Sequence, residues 1–197
     1  MAQNDLERVS LVNSRAGSLV VRRGFAVGLG ALLVALAAQV VVPVPFSPVP
    51  MTLQPLAVLV VGGLLGAAGG LAALVLYLTL GILGLPVFAG GASGALHLAG
   101  PTGGYLLAFP IAAAVTGAVV GRKTELAKGS VLRVLLACAL GMVIIHVGGV
   151  AQLALLGGDP TLAFRVGFIP FLTGDLLKIG LAAALILLAG RKIRALL

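Results

Sequence analysis

Asp175 and Lys178 are the residues whose types and spacing most clearly suggest chemistry. They are the only charged residues in an apolar stretch of 25 residues from Val166 to Gly190, which lies between Arg165 and Arg191. Such a stretch is long enough to span a bilayer. At positions i and i+3 the two side chains share one helix face, and each would cost about 2.5–3.5 kcal/mol near the bilayer centre. We therefore expect the pair to face the protein interior and to bind a polar group there.

The composition is that of a membrane protein. Of the 197 residues, 60% are hydrophobic, 9% are charged and 29 are glycine. Lipid provides no hydrophobic drive for helices to associate, and a high glycine content is typical of membrane helices that pack closely. We expect one domain, residues 1–197. The single cysteine, Cys138, excludes an intramolecular disulfide, and no metal site is expected.

Six apolar segments separated by helix-breaking residues predict an all-α integral membrane protein with six transmembrane helices. The second and third share one apolar stretch, in which Gly66, Gly69 and Gly70 offer a tight reversal; a single long tilted helix is the alternative. The predicted spans are Phe25–Val42, Leu53–Gly66, Leu71–Leu85, Gly104–Val120, Val131–Leu155 and Ile169–Ala189.

The distribution of basic residues predicts that both termini are cytoplasmic. Eleven of the 13 lie on one side of the predicted spans or at helix ends facing it, and Arg165 and Lys178 are the other two. By the positive-inside rule, residues 1–23 form a cytoplasmic segment and residues 190–197 a cytoplasmic tail. Cleavage of the first span as a signal peptide is the alternative. The net charge of +8 therefore reflects topology and does not predict a nucleic-acid partner.

Small residues form one stripe along the first helix. They recur at spacings of four and three, at Gly24, Gly28, Ala31, Ala35 and Ala38. Such a stripe allows another backbone to approach closely. The residues themselves leave two interpretations open, packing inside the bundle and contact with another membrane protein.

Two irregular segments are predicted on the outer side. Residues 43–54 contain four prolines and predict a stiff loop, after which Gln54 could bind an amide-like ligand or simply mark the start of a helix. Residues 84–105 are rich in glycine yet apolar, so we expect them to fold back over a site. Tyr105 at their end could stack on a ligand, hydrogen-bond to it or anchor the chain at the interface.

Other chemistry is not indicated. His97 and His146 lack metal-ligand spacing and are interpreted as packing or hydrogen-bonding residues. Residues 117–124 superficially resemble a phosphate loop but have the wrong spacing and context. The chain thus has no visible means of using ATP, and without a nucleophile and base it is not expected to be an enzyme.

Three segments together resemble a known family. They are Val44–Gln54, Gly84–Leu106 and Pro170–Lys178, and the second and third contain Gly-Pro-Thr-Gly-Gly-Tyr and Gly-Asp-Leu-Leu-Lys. The sequence resembles the BioY family, the biotin-specific S-components of energy-coupling-factor (ECF) vitamin transporters.

This resemblance implies a six-helix subunit of the prokaryotic cell membrane that captures biotin and needs no cofactor. It implies as partners a transmembrane coupling protein and two cytoplasmic ATPases. The family's small-residue face on the first helix meets the coupling protein, which favours a partner surface for the stripe at Gly24, Gly28, Ala31, Ala35 and Ala38.

The resemblance also implies a ligand site. Asp175 would accept from the ureido N–H groups of biotin, and Lys178 would donate to the ureido carbonyl or pair with Asp175. Lys178 is also a candidate partner for the biotin carboxylate. The lid and apolar walls would include Gln54, Phe88, Gly91, Thr102 and Tyr105. The sequence departs from the expected pattern at His97 and Gln152. A solitary or proton-coupled facilitator, in which Asp175 titrates, is the alternative function.

Overall fold

The structure is a computed structural model that describes residues 2–121 and 130–196. Three of the eleven basic residues assigned to the cytoplasmic side, Arg122, Lys123 and Lys128, lie outside the described residues. The described chain is mainly helical, with a short β-hairpin and three single-turn 3-10 helices. Its elements are α1 (Ala2–Ala37), β1 (Val41–Val42), β2 (Met51–Thr52), α2 (Gln54–Ile82), 3-10 turns at Ala89–Gly91 and Ala95–Ala99, α3 (Gly103–Val120), α4 (Ser130–Gly157), α5 (Pro160–Gly167), a 3-10 turn at Ile169–Phe171 and α6 (Leu172–Leu196).

The first predicted span ends too late. Helix α1 begins at Ala2 and ends at Ala37, and Val41–Val42 pairs antiparallel with Met51–Thr52. Prolines after Val42 disfavour helix in the preceding residues, so the chain becomes extended there. The proline-rich segment is therefore the loop of a short β-hairpin.

Helix α2 reverses direction at Gly66. This residue has φ 77° and ψ −179°, a conformation open essentially only to glycine. In a continuous helix Gln54 and Tyr77 would be about 35 Å apart, yet Nε2 of Gln54 lies 2.6 Å from Oη of Tyr77. The two arms of α2, residues 54–65 and 67–82, thus run antiparallel, and the reversal predicted near Gly66 is present.

Five helical segments of the described chain are long and apolar enough to cross a membrane. They are Leu19–Ala37, Gln54–Ile82, Gly103–Val120, Val131–Gly157 and Pro160–Gly190. The predicted number of six counts the two arms of α2 separately, and it stays a prediction.

Glycines bring the central helices into backbone contact. A Cβ atom on Gly62 would collide with the Ala113 carbonyl, and one on Gly104 would collide with Gly148. Helix α3 therefore packs closely between α2 and α4, as the glycine content predicted.

The last predicted span, Ile169–Ala189, corresponds to a 3-10 turn followed by most of α6, and the short helix α5 precedes it. Asp159 caps α5 by accepting from the backbone N–H groups of Thr161 and Leu162, and the 3-10 turn Ile169–Phe171 joins α5 to α6. This places Asp175 in the first turn of α6. The pair of charged residues therefore lies in the first two turns of α6.

The bundle has two distinct ends. The Gly66 end also contains Arg23 and Gly117, which with the turn of α2 line a pocket that holds about 1350 Å³ of empty space, its opening to solvent included. Near the C-terminus of α6, Gly190 approaches Leu64 of the same end. The α2 hairpin carries Gln54 and Tyr77 to the opposite end, which we call the polar end.

Candidate ligand-binding site

The polar end contains a cavity lined by four helices and two connecting segments. Together with its mouth, which is open to solvent, it holds about 560 Å³ of empty space. Most of its wall is apolar, with polar groups concentrated on α6, α4 and the start of α2. The lining residues are Val49, Pro50, Met51, Thr52, Gln54, Pro55, Ala89, His97, Thr102, Tyr105, Leu106, Phe109, Ile145, His146, Phe171, Asp175 and Lys178.

Asp175 is the centre of a buried polar cluster. Its Oδ1 accepts from Nζ of Lys178 at 3.0 Å, and its Oδ2 accepts from Nε2 of His146 at 2.6 Å. Asp175 and Lys178 are each 5% exposed and His146 is 7% exposed. One carboxylate thus joins α4 to α6 inside the bundle.

The sequence of α6 explains the inward orientation of this pair. Leu176 and Leu177, which separate Asp175 from Lys178, are 69% and 66% exposed. The polar residues therefore share the inner face and the leucines the outer face. In the first turn, the partial positive charge of the helix N-terminus also favours the carboxylate of Asp175.

His146 is surrounded by aromatic rings. Its ring lies edge-to-face with Phe168 at 4.9 Å and with Tyr105 at 6.0 Å, and it is tilted against Phe171 at 6.1 Å. While Nε2 bonds to Asp175, Nδ1 is buried and has no hydrogen-bond partner among the described residues. The imidazole is therefore held firmly while one of its nitrogens stays unsatisfied.

Gln54 belongs to a hydrogen-bond chain at the start of α2. Oγ1 of Thr52 donates to Oε1 of Gln54, whose Nε2 donates to Oη of Tyr77. Tyr77 in turn donates to the carbonyl of Val87. This chain joins the hairpin and both arms of α2 to the segment after α2, and it fixes the Gln54 amide at the cavity wall.

Tyr105 is anchored by both its ring and its hydroxyl. The ring packs on Gly149 of α4, where any Cβ would collide with it. Its Oη donates to the Gly167 carbonyl at 2.6 Å. Its hydroxyl proton is committed to α5, so Tyr105 presents mainly its ring to the cavity.

Residues 84–102 cover the cavity as a braced segment. Nε2 of Gln152 donates to the carbonyls of Leu98 and Gly100, and Oγ1 of Thr102 lies 3.2 Å from Nε2 of His97. The His97 ring stacks on Phe88 at 5.2 Å. Side chains therefore hold this irregular backbone in place.

Comparison with known proteins agrees with this arrangement. The sequence profile of the BioY family matches residues 8–195. The chain belongs to the BioY family. A probable biotin transporter BioY of Pyrococcus horikoshii is 39% identical over 166 residues, which cover 84% of this chain and 94% of that protein. The biotin transporter BioY of Thermotoga maritima is 39% identical over 146 residues, covering 74% and 83%.

A solved structure has the same fold. The crystal structure of the S-component for biotin from an ECF-type ABC transporter superposes with a TM-score of 0.77. The match covers 91% of this chain and 93% of that chain, at 24% sequence identity. The membrane-protein fold expected for a BioY family member is therefore confirmed at the level of the whole chain.

The structure brings five of the seven predicted ligand residues to the cavity. They are Gln54, Thr102, Tyr105, Asp175 and Lys178. The other two lie outside the lining. Phe88 is fully buried behind His97 and Tyr77, and Gly91 is on the exposed side of the covering segment.

The small-residue stripe of α1 is divided between two environments. Ala31 is 2% exposed and belongs to the same buried core as Ala73 of α2, and Ala35 packs against that core. Ala38, one residue beyond the end of α1, is 0% exposed. Gly24 and Gly28 have no atom within 4 Å of a constructed Cβ. Ala31 and Ala38 are thus covered by the chain itself, contrary to the predicted partner surface.

Sequence reasoning missed the position of both histidines. His146 bonds to Asp175 and His97 lines the cavity. Each histidine is isolated in sequence from other polar residues, and neither carries a local signal that links it to Asp175. A histidine within an otherwise apolar span was the one available hint.

Proposed function

We propose that this chain is the biotin-binding S-component of an ECF-type transporter and that it is not an enzyme. The carrying observation is the buried cluster of Asp175, Lys178 and His146 at one end of an apolar cavity in a BioY family member. Relatives named as biotin transporters support the same ligand.

Biotin matches the chemical division of the cavity. Its ureido ring offers N–H donors and a carbonyl acceptor, and the remainder is a thiophane ring, an aliphatic chain and a carboxylate. We assign the ureido ring to the polar cluster, where Asp175 accepts and Lys178 donates. Leu106, Phe109 and Ile145 supply apolar wall for the rest of the molecule.

The other predicted residues act around this core. Gln54, Thr102 and the ring of Tyr105 form part of the cavity wall. Phe88 belongs to the covering segment and is buried behind it, where its ring supports His97. Gly91 belongs to the turn of that segment, where its φ of 78° suits glycine. Its role is to shape the lid without touching the ligand.

We infer six membrane crossings with both termini cytoplasmic. The two arms of α2 count separately because they are antiparallel, and Arg23 and Gly190 both lie near the Gly66 end. An even number of crossings agrees with this common side, and the basic residues favour the cytoplasm for it. The cavity at the polar end then faces outward.

We infer that a coupling protein and two ATPases complete the transporter. On α1, the open space at Gly24 and Gly28 suits close contact with a partner helix. Ala35, about two helical turns after Gly28, is half-buried. Ala31 and Ala38 are buried and could contact a partner only after the residues that cover them had moved. The proposed partner surface is therefore centred on Gly24 and Gly28.

Equilibrium binding of biotin to the purified chain in detergent tests the ligand and the site. D175N and K178A are each expected to weaken binding at least tenfold, about 1.4 kcal/mol. D159N and K192A are matched controls, because these exposed residues lie outside the cavity lining and asparagine is as good a helix cap as aspartate. Folded wild-type protein that fails to bind biotin would refute the proposal.

A solitary or proton-coupled facilitator is the second candidate. The observation that favours it is the 2.6 Å contact between Asp175 and His146, two groups able to exchange a proton inside the membrane protein. Uptake of radiolabelled biotin into vesicles with and without the ATPases separates the two functions. Uptake that stops without the ATPases supports the S-component, and uptake driven by a proton gradient alone supports the facilitator.

A further inference from the structure

Nδ1 of His146 is a buried nitrogen with no hydrogen-bond partner in the described chain. Buried polar atoms are nearly always paired, and an exception calls for a specific explanation. The residue lines the cavity, so a ligand can supply the missing partner. The chemistry of that partner depends on whether Nδ1 carries a proton.

The neighbours of His146 determine its protonation state. The carboxylate of Asp175 is acceptor-only, so Nε2 must carry the proton of the 2.6 Å bond. Lys178 already balances the charge of Asp175. A proton on Nδ1 would add an uncompensated buried charge among Tyr105, Phe168 and Phe171, which is unfavourable. His146 is therefore neutral, and its Nδ1 is a hydrogen-bond acceptor.

We propose that His146 is a third ligand-binding residue, whose Nδ1 accepts a hydrogen bond from one N–H group of the ureido ring. The proposal rests on biotin as the ligand. A cyclic urea presents two donors and one acceptor. The cluster presents the complementary set, with Asp175 and Nδ1 of His146 as the two acceptors and Lys178 as the donor.

Two variants and one control test the role of the ring nitrogen. H146Q keeps an N–H group that can donate to Asp175 and offers its amide oxygen as an acceptor in place of Nδ1, whereas H146F lacks both functions. M142L changes a buried residue one turn earlier on α4, outside the cavity lining. Biotin affinity is measured by titration calorimetry, with thermal melting to establish that each variant is folded.

H146F is expected to weaken biotin binding more than tenfold, and M142L not measurably. H146Q is expected to weaken binding less than H146F, because its amide oxygen can accept the hydrogen bond that Nδ1 accepts in wild type. An affinity of H146F equal to wild type would overturn the proposal.

Nitrogen NMR gives a direct readout that does not depend on any variant at His146. The chain contains two histidines, so ¹⁵N-labelled histidine yields few signals, and H97Q assigns them. Nδ1 of His146 is expected to have the shift of an unprotonated nitrogen and to move when biotin is added. A protonated Nδ1, or a signal unchanged at saturating biotin, refutes this role for His146 alone. Failure of wild type to bind biotin refutes the proposed function instead.

Discussion

Removal of the Lys178 charge provides the strictest test of the polar cluster. In K178M the carboxylate of Asp175, 5% exposed, would keep only His146 as a partner. Removal of one member of a buried ion pair typically costs about 3–5 kcal/mol, because the other charge stays buried without compensation. We expect about 3 kcal/mol, the lower end, since the pair lines a cavity that can admit water.

The double variant D175N/K178M tests whether the uncompensated charge of Asp175 causes the loss of stability in K178M. Both charges are absent, so the double variant should be more stable than K178M alone. The free energy of unfolding is measured by denaturant titration in mixed micelles for wild type, both single variants and the double variant. K192M, at an exposed position, is the control for loss of a lysine charge. A double variant no more stable than K178M would refute the view that uncompensated charge causes the loss.

Three further predictions concern packing around the cavity and the turn of α2. Y105F removes the donor to the Gly167 carbonyl and should cost about 1–3 kcal/mol of unfolding free energy, measured by the same titration. G149A should displace the Tyr105 ring and weaken biotin binding in calorimetry; unchanged affinity would mean that the position of this ring is immaterial. G66A should lower the free energy of unfolding by about 1–3 kcal/mol because the Gly66 backbone conformation is unfavourable for alanine. G28A, with open space around its Cβ, should be neutral or stabilising. Equal effects of the two variants in thermal melting would contradict the strain assigned to position 66.

Much of the fold could be predicted because it depends on local sequence. Apolar segments set the helices, and Gly66 marked the reversal because its backbone conformation is accessible to glycine alone. The start of α5 was missed, although Asp159 followed by Pro160 is a typical helix start. Its eight residues lay between two long apolar spans and produced no span-length signal.

The candidate site could be predicted only in part, because some of its contacts join residues that are distant in sequence. Asp175 and Lys178 stood out because charge is costly in an apolar span and their spacing is local. The bond from His146 to Asp175 crosses 29 positions of sequence. Its existence depends on how α4 packs against α6, which no local pattern specifies. The small residues from Gly24 to Ala38 form one stripe by their spacing alone. Which of them are buried inside the protein depends on tertiary packing, which the spacing does not specify.

Helix α5 accepts hydrogen bonds both from the hairpin loop and from Tyr105, which lies close to the end of the covering segment 84–102. Oγ of Ser47, in the hairpin loop, donates to the Val166 carbonyl at 2.8 Å, and Tyr105, which directly follows the other covering segment, donates to the adjacent carbonyl of Gly167. Both partners are consecutive carbonyls at the C-terminal end of α5, where helical carbonyls lack partners within the helix. Movement of α5 would therefore disturb both sides of the cavity at once. Two hydrogen bonds thus connect the hairpin loop and Tyr105 to the same short helix.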